Sequence, residues 1–325
     1  MHGVKRRLWT QEALKQKRAQ DKQRIKAYRD QTARVLRLRD AGAYSMEALA
    51  ETTSLLQMNG EFNAVWNYRR DIIAALREQL DGGFWEAELK LTMAHLRESP
   101  KVYWIWNHRQ WCLQHHAEQG AAVWKRELAL VGKMLELDPR NFHGWHYRRV
   151  VVRELERRSG ASLDSAELSF TTEKINENIS NFSAWYQRAQ LIPRMIASGK
   201  IADTSRFAEE EASYIINAMY TDAEDQSVWM YLKWFAEASC IRDDMPLQDY
   251  DCMLTKFREN IMAINQDELE FSGRENIWCL KMLVFLGSIA PTQQESPAQR
   301  RHHLERLIEL DSMRRNRYIH MLENA

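Results

Sequence analysis

Residues 141–149, NFHGWHYRR, hold the pattern that decides the fold. Their tryptophan belongs to a series that recurs at steps of 40, 39, 40, 44 and 49 residues: Trp66, Trp106, Trp145, Trp185, Trp229 and Trp278. Arginine follows each of the first four tryptophans by three positions, as Arg69, Arg109, Arg148 and Arg188. A self-similar period of this length is typical of a helical repeat array.

A second element recurs in register with the tryptophans. Glu-Leu stands 18 residues before three of them, beginning at Glu88, Glu127 and Glu167, and Glu211 has the same offset from Trp229. Apolar residues three and four positions apart follow the first two of these sites and predict a first helix with one apolar face: Leu89, Met93 and Leu96, and Leu128, Val131 and Leu135. The arginine of the second helix could stack on the indole or pair with an acidic residue of the neighbouring repeat.

A proline marks the expected start of the second helix in two of the units. Ser99-Pro100 and Asp138-Pro139 are typical of an N-cap followed by the first residue of a helix. Neither helix can bury its apolar face alone, so consecutive pairs should stack on one another. The sequence therefore predicts an all-α, right-handed α-α superhelix, that is, a solenoid of helical hairpins.

The repeats do not extend to the ends of the chain. We expect a basic N-terminal arm and helix over residues 1–45, hairpin repeats over 46–290, and a C-terminal loop with a capping helix over 291–325. The capping helix should run from about Ala298 to Leu322. No shift in composition marks a further boundary, so these parts should form a single domain.

The composition agrees with a helical soluble protein. Only 12 Gly and 6 Pro occur in 325 residues, too few for the many turns of an all-β fold. The four cysteines form no CxxC pair, which suits a reducing compartment. The sequence shows neither a signal peptide nor an apolar run of about 20 residues. We therefore expect a cytoplasmic protein without a transmembrane segment.

Charge is distributed unevenly although the formal net charge is only +1. Residues 1–40 carry 13 Lys and Arg against 4 Asp and Glu. Helical spacing of the apolar residues there places the basic side chains on the outer face of an amphipathic helix. Zinc-finger spacing, basic-zipper heptads and interleaved basic and aromatic residues are all missing, so we expect no nucleic-acid partner.

Motifs for a self-contained active site are missing from the sequence. It contains no phosphate-binding loop of the Walker type, no GxGxxG, no HExxH, no GxSxG and no paired-cysteine zinc site. The residues alone therefore favour a helical repeat scaffold. For the Trp and Arg pairs they favour packing between repeats, or contact with a partner, over catalysis.

Four stretches of the series resemble the repeats of protein prenyltransferase alpha subunits: residues 62–70 (FNAVWNYRR), 103–109 (YWIWNHR), 141–149 (NFHGWHYRR) and 181–188 (NFSAWYQR). The resemblance covers nearly the whole chain. Within that family, the opening Met1-His2-Gly3 with its basic helix, and residues 310–314 (LDSMR), resemble the type II, Rab-geranylgeranylating members.

The resemblance implies an obligate heterodimer. In this family the beta subunit carries the catalytic zinc and the isoprenoid pocket, and magnesium is a candidate ion for the diphosphate. The reaction would transfer geranylgeranyl from geranylgeranyl diphosphate to C-terminal cysteines of a Rab GTPase that a Rab escort protein presents. Zinc holds the cysteine as thiolate, while the departing diphosphate needs positive charge and hydrogen-bond donors.

The same resemblance assigns candidate contacts to the diphosphate. Lys101 and Tyr103 take the places of the lysine and tyrosine of the second repeat, and His143 takes the histidine place of the third. They would assist the reaction without forming a complete catalytic site. His2, near a free N-terminus, is a competent ligand for the partner's zinc and could occupy the thiolate's position until substrate arrives.

Two alternatives stay open. The first is the alpha subunit shared by farnesyl and type I geranylgeranyl transferases, in which glutamine typically follows the tyrosine of the second repeat. Here that residue is Trp104, whose indole offers one N–H donor and no carboxamide. The second alternative is a non-catalytic helical-repeat scaffold, which should be stable without a partner.

Overall fold

The structure, a computed structural model, describes residues 10–116, 120–292 and 295–324. Within these ranges every regular element is helical, which confirms the all-α class. The helices are α1 (Gln11–Asp40), α2 (Met46–Met58), α3 (Asn63–Ala75), α4 (Gly82–Glu98), α5 (Tyr103–His115), α6 (Ala121–Leu137), α7 (Phe142–Ser159), α8 (Asp164–Glu177), α9 (Phe182–Ala197), α10 (Thr204–Thr221), α11 (Gln226–Glu237), α12 (Ser239–Arg242), α13 (Leu247–Ser272), α14 (Ile277–Ile289), α15 (Pro297–Leu310) and α16 (Arg315–Glu323). Two 3-10 helices, Arg77–Gln79 and Ser312–Arg314, complete the set.

Consecutive helices form the expected hairpins. The packed pairs are α2 with α3, α4 with α5, α8 with α9, α10 with α11, and α13 with α14. The Tyr147 hydroxyl donates to Glu127 Oε2 at 2.8 Å and joins α7 to α6 in the same way. The chain divides into two compact units. One contains residues 1–135 and 141–159, and the other contains residues 136–140 and 160–325.

The basic helix α1 packs on the first unit through its C-terminal half. Val35 is its one fully buried residue, whereas the Ile25 side chain is 51% exposed. Asn59 Nδ2 donates to the Tyr28 hydroxyl at 2.9 Å, and Arg34 pairs with Glu51 at 2.9 Å. Ile25 therefore stays exposed, because the contacts between α1 and the α2 region involve only the later turns of α1.

Proline ends the first helix of a hairpin instead of opening the second, which corrects the prediction for Ser99-Pro100 and Asp138-Pro139. Ser99 is the C-cap of α4, and α5 begins only at Tyr103. Asp138 follows the end of α6, and α7 begins at Phe142. A residue before proline avoids the helical conformation, so the first helix stops there.

The C-terminal region differs from the sequence prediction in one respect. The single helix expected from about Ala298 to Leu322 is broken at Asp311 into α15 and α16. The buried Asp311 carboxylate accepts from Lys281 Nζ at 2.7 Å, from the Tyr318 hydroxyl at 2.7 Å and from Arg314 at 3.2 Å. Three donors converge on this carboxylate, and the chain turns around it.

The tryptophan series also ends one member earlier than the spacing indicates. Trp66, Trp106, Trp145, Trp185 and Trp229 are all buried, but Trp278 is only half-buried. Asn276 Oδ1 accepts from the N–H groups of Trp278 and Cys279, as Asn141 Oδ1 does from His143 and Gly144. Trp278 thus corresponds to His143, and the fully buried Leu280 takes the tryptophan place.

Candidate functional site at the α5 and α7 N-termini

One carbonyl group aligns the first turns of α5 and α7. Pro100 O accepts from Trp106 Nε1 at 2.9 Å and from Asn141 Nδ2 at 3.2 Å. The side-chain oxygen of Asn141 accepts from the N–H groups of His143 and Gly144, at 3.0 and 3.4 Å, and so caps α7. Asn141 therefore ties the start of α7 to the turn that precedes α5.

The aligned N-termini bring Tyr103 and His143 into contact. Their ring centroids lie 4.1 Å apart with an interplanar angle of 81°, an edge-to-face arrangement. Phe142 packs against the same imidazole, with centroids 4.1 Å apart. The Tyr103 side chain is 55% exposed, whereas His143 is 6% exposed. Two of the three predicted diphosphate contacts thus share one edge of the first unit.

Lys101 lies at the same edge, in the turn two residues before α5 rather than in the helix itself. It is exposed, and its positive charge acts on His143. Burial lowers the pKa of His143 below its ordinary value, and the charges of His146 and Lys101 lower it further. The imidazole is therefore neutral near pH 7 and offers one N–H donor beside the lysine cation.

The repeated arginines lie in the interior of the hairpin stack. Arg69 Nε and Nη2 each donate to a Glu88 oxygen at 2.6 Å, and Arg109 makes the corresponding pair with Glu127 at 2.9 and 2.6 Å. Within the second unit, Arg188 pairs with Glu211 at 2.6 and 2.5 Å. Each glutamate belongs to the first helix of the next hairpin, so the guanidinium joins consecutive repeats.

Each of these arginines also bonds back to its own hairpin. Arg109 Nη1 donates to Leu89 O at 2.6 Å and to Thr92 Oγ1 at 2.9 Å. Arg69 and Arg188 repeat this arrangement on a Leu-x-x-Thr sequence 20 residues upstream. These threonines help to hold the repeats together, and the sequence pattern was not used to predict them. Their constant spacing from the arginine is nevertheless visible in the sequence.

A third side chain forms a hydrogen bond with each of these buried glutamates. It comes two positions after the tryptophan and is Tyr147 on Glu127, Tyr231 on Glu211, and His108 on Glu88, at 2.7 to 2.8 Å. Burial raises the pKa of Glu88, but hydrogen bonds from Arg69 and His108 outweigh it and lower the pKa to about 2. Burial, and then the neighbouring carboxylate, raise the pKa values of both tyrosines. Glu88 is therefore ionised, and Tyr147 and Tyr231 are neutral donors.

The remaining members of the series are also interior residues. Trp145 and Arg148 are buried in α7, at 1% and 7% exposure. The indole N–H groups of Trp66, Trp185 and Trp229 donate to a carbonyl six residues upstream at 2.8 to 2.9 Å. These contacts fix the second helix against the connection that precedes it. His2, by contrast, lies outside the described residues.

One group of side chains in the described part of the chain meets the distance requirement for a metal site: Glu88, His108 and Cys112. Both Glu88 oxygens already accept from Arg69, and the fixed guanidinium charge opposes a second cation. Burial strongly raises the pKa of the Cys112 thiol, so this sulfur stays protonated. The donor set does not fit a zinc ion.

Comparison with known proteins agrees with this architecture. The family model described as protein prenyltransferase alpha subunit repeat matches residues 85–116, 124–155 and 164–195. The geranylgeranyl transferase type-2 subunit alpha of Saccharomyces cerevisiae is 52% identical over 99% of this chain and 99% of its own. The chain belongs to the type-2 geranylgeranyl transferase alpha subunit family. It is therefore an alpha subunit of a heterodimeric prenyltransferase.

Other similarities support this family assignment. The corresponding Candida albicans subunit is 34% identical over 99% of this chain and 97% of its own. Among solved structures, Candida albicans protein geranylgeranyltransferase-I complexed with GGPP matches with a TM-score of 0.66 over 92% of this chain and 90% of that one. At 23% identity that match supports the fold alone. No helix among the described residues has the length and apolarity that crossing a bilayer requires.

Proposed function

We propose that this alpha subunit assists transfer of a geranylgeranyl group from its diphosphate to C-terminal cysteines of Rab GTPases, in the cytoplasm. The observation that carries the proposal is the shared edge of Lys101, Tyr103 and His143. A cation, a phenol and a neutral imidazole there can each meet an oxyanion. The C–O bond that breaks leaves its charge on the diphosphate, so donors held in place stabilise the transition state more than the substrate.

The remaining chemistry would belong to the partner. Zinc in the proposed beta subunit would lower the pKa of the Rab cysteine and hold its sulfur as the thiolate nucleophile, and magnesium would accompany the diphosphate. The described residues of this chain contribute a charged, hydrogen-bonding edge and no fitting metal site. A Rab escort protein would bring the GTPase to the heterodimer. Full-length similarity to type-2 subunits favours this assignment over the subunit shared by farnesyl and type I enzymes.

The edge is tested by Lys101→Ala in the heterodimer. We expect single-turnover geranylgeranyl transfer to slow by about 10-fold to 1000-fold, since a charge contact worth roughly 1.4 to 4 kcal/mol is lost. Lys101→Arg should retain part of the rate. Lys90→Ala removes another exposed lysine, from α4, and is the matched control. An unchanged rate in Lys101→Ala would reject the assignment.

Partner choice and His2 need separate tests. Co-expression with each class of prenyltransferase beta subunit should yield a soluble, active pair only with the type-2 partner.

The role of His2 is a hypothesis: its imidazole could bind the partner's zinc and inhibit the enzyme. Deletion of residues 1–3 should then raise the basal rate or the substrate affinity. If neither changes, the zinc role of His2 is wrong.

A further inference from the structure

The second unit contains a cavity of about 330 Å³ that none of the proposed chemistry uses. Helices α11, α14, α15 and α16 form its walls. The volume lies within the range of small-molecule sites, about 300 to 1,000 Å³. The cavity lies where the repeat pattern ends: Trp278, outside the tryptophan place, lines it, and so do residues of α16, which follows the break at Asp311.

The floor of the cavity is apolar and belongs to the core. Val284, Leu304 and Leu307 are 3%, 0% and 1% exposed and pack in one cluster with Tyr318. Met230 and Phe285 extend the apolar surface toward the opening. An apolar chain lying on this floor would remove hydrocarbon surface from water on both sides.

Cations line the same cavity without any acidic residue among them: Lys233, Lys281, Arg300, Arg314 and Arg317. Three of these charges are already paired. Lys281 and Arg314 share Asp311, and Lys233 pairs with Glu237. Arg300 bonds only a backbone carbonyl, Val284 O at 3.3 Å, and Arg317 makes no hydrogen bond or ion pair with a described residue. Two guanidinium groups are therefore available to an anion.

The lining favours a lipid-like ligand over a peptide. An extended peptide would need partners for its backbone N–H and C=O groups. The uncharged hydrogen-bonding side chains in the lining are Gln226, Trp278, Ser288 and Tyr318, too few for an extended backbone. Ser288 and Tyr318 already donate to Phe285 O and Asp311, and the Trp278 indole has one N–H donor and no acceptor. An alkyl or prenyl chain needs no such partners, and guanidinium groups bind phosphate through two parallel hydrogen bonds.

We propose that this cavity binds an amphiphilic phosphate, with its apolar chain on the α14 and α15 floor and its phosphate at Arg300 and Arg317. The ligand class is an apolar hydrocarbon chain that carries a phosphate or diphosphate at its head. A soluble prenyl or alkyl phosphate and an anionic lipid headgroup both present this chemistry. The site is separate from the edge of Lys101 and does not depend on the role proposed for that residue.

Photolabelling of the purified heterodimer tests the proposal. The probe is dodecyl phosphate with a diazirine at the end of its chain, and labelled peptides are mapped by mass spectrometry. We expect labels on this chain at the apolar lining, at Met230, Met282, Phe285 or Met321. Unlabelled dodecyl phosphate should compete, whereas dodecanol and inorganic phosphate should not. Labels on the beta subunit alone, or equal competition by dodecanol, would overturn the proposal.

Charge variants show whether the phosphate meets the arginines. Arg317→Glu should raise the half-saturating probe concentration by about 10-fold to 100-fold, as expected for loss of a charge-assisted contact. Arg315→Glu makes the same change at an exposed residue outside the lining and should have no effect. Equal labelling of these two variants would contradict the phosphate site. Arg300→Gln provides a second test if Arg317→Glu does not fold.

Two further arms identify the ligand source and exclude the peptide occupant. Vesicles of phosphatidic acid that compete with the probe would identify a lipid headgroup, and competition by soluble alkyl phosphate alone would identify a free ligand. Met230→Trp should block labelling by filling the opening, because Met230 is 44% exposed at its edge. Chemical cross-links from the cavity lining to the beta subunit, with no photolabelling, would show a peptide occupant instead.

Discussion

Helix α5 carries two regions with opposite surroundings. Its Arg109 is 3% exposed and bonded to Glu127, Leu89 and Thr92. Its first residue, Tyr103, is 55% exposed, and its side chain makes only ring contacts with the residues that the structure describes. The interior position is repeated from hairpin to hairpin. The edge position varies, with Phe142 and Phe182 in the corresponding places. One repeat thus separates residues that hold the stack together from residues left available to a ligand.

The largest effect should come from breaking the interior network. Arg69→Ala removes both hydrogen bonds to Glu88 and leaves this carboxylate buried with His108 as its remaining partner. Breaking a buried ion pair on one side costs about 3 to 5 kcal/mol. The free energy of unfolding of the heterodimer in urea should fall by that amount.

The adjacent residue is the control for this prediction. Arg70 bonds the exposed Asn67 side chain, so Arg70→Ala should cost less than about 1 kcal/mol. If the two alanine variants unfold alike, the interior network contributes no more than a surface pair, and the contrast between interior and edge is wrong.

The second effect is the acid dependence of stability. Glu88 has its folded pKa lowered from 4.5 to about 2, so its ionised form stabilises the fold at pH values above 4.5. That contribution, about 3 kcal/mol, is lost as the pH falls from 4.5 toward 2, because the unfolded chain binds the proton first. Urea unfolding from pH 6 to pH 3 should show a flatter dependence in Glu88→Gln.

An exposed glutamate supplies the comparison. Glu47 forms a surface pair with Arg34 at 3.5 Å, and its side chain is 76% exposed. Glu47→Gln should therefore keep the acid dependence of the unsubstituted protein. A flattened profile in both variants would place the acid-sensitive group elsewhere.

The tryptophan series gives the third effect. Trp229 is fully buried and donates to Ala223 O at 2.9 Å, whereas Trp278 is half-buried and lines the cavity. Trp229→Phe removes a buried hydrogen bond and leaves a void, with an expected cost of about 2 kcal/mol. Trp278→Phe should cost less than about 1 kcal/mol. If both substitutions lower the free energy of unfolding equally, in thermal or urea unfolding, Trp278 would be a structural member of the tryptophan series.

Sequence spacing predicted the interior better than the ends of the molecule. Arginine three residues after tryptophan, and glutamate 18 residues before the next one, are positions whose pairing the structure shows for Arg69, Arg109 and Arg188. The same contact in each repeat requires the same residue type, and a residue type that recurs at a fixed spacing can be recognised in the sequence. The helices and hairpins were predictable for the same reason.

The ends of the helices were harder to predict. Pro100 and Pro139 were expected to start second helices, but Pro100 lies in the connection that follows α4, and its carbonyl accepts from Trp106 and Asn141. Trp278 fits the spacing although Leu280 holds the structural place. A local sequence pattern does not show which tertiary partner a carbonyl or an indole will meet. The candidate edge itself came from family resemblance, because Lys101 and Tyr103 do not recur in the other units.

The smallest expected change in stability comes from substitution of Asn141, which should also alter the candidate site. Asn141→Ala removes the α7 cap and the bond to Pro100 O, and should cost about 1 kcal/mol in urea unfolding. Asn141→Asp keeps an oxygen that can cap α7 but replaces the N–H donor that faces Pro100 O. If the bond to Pro100 holds Tyr103 against His143, both variants should slow single-turnover transfer, although only Asn141→Ala loses the cap. A slow Asn141→Ala with an unimpaired Asn141→Asp would show that capping of α7, and not its tie to the α4–α5 turn, positions the exposed edge.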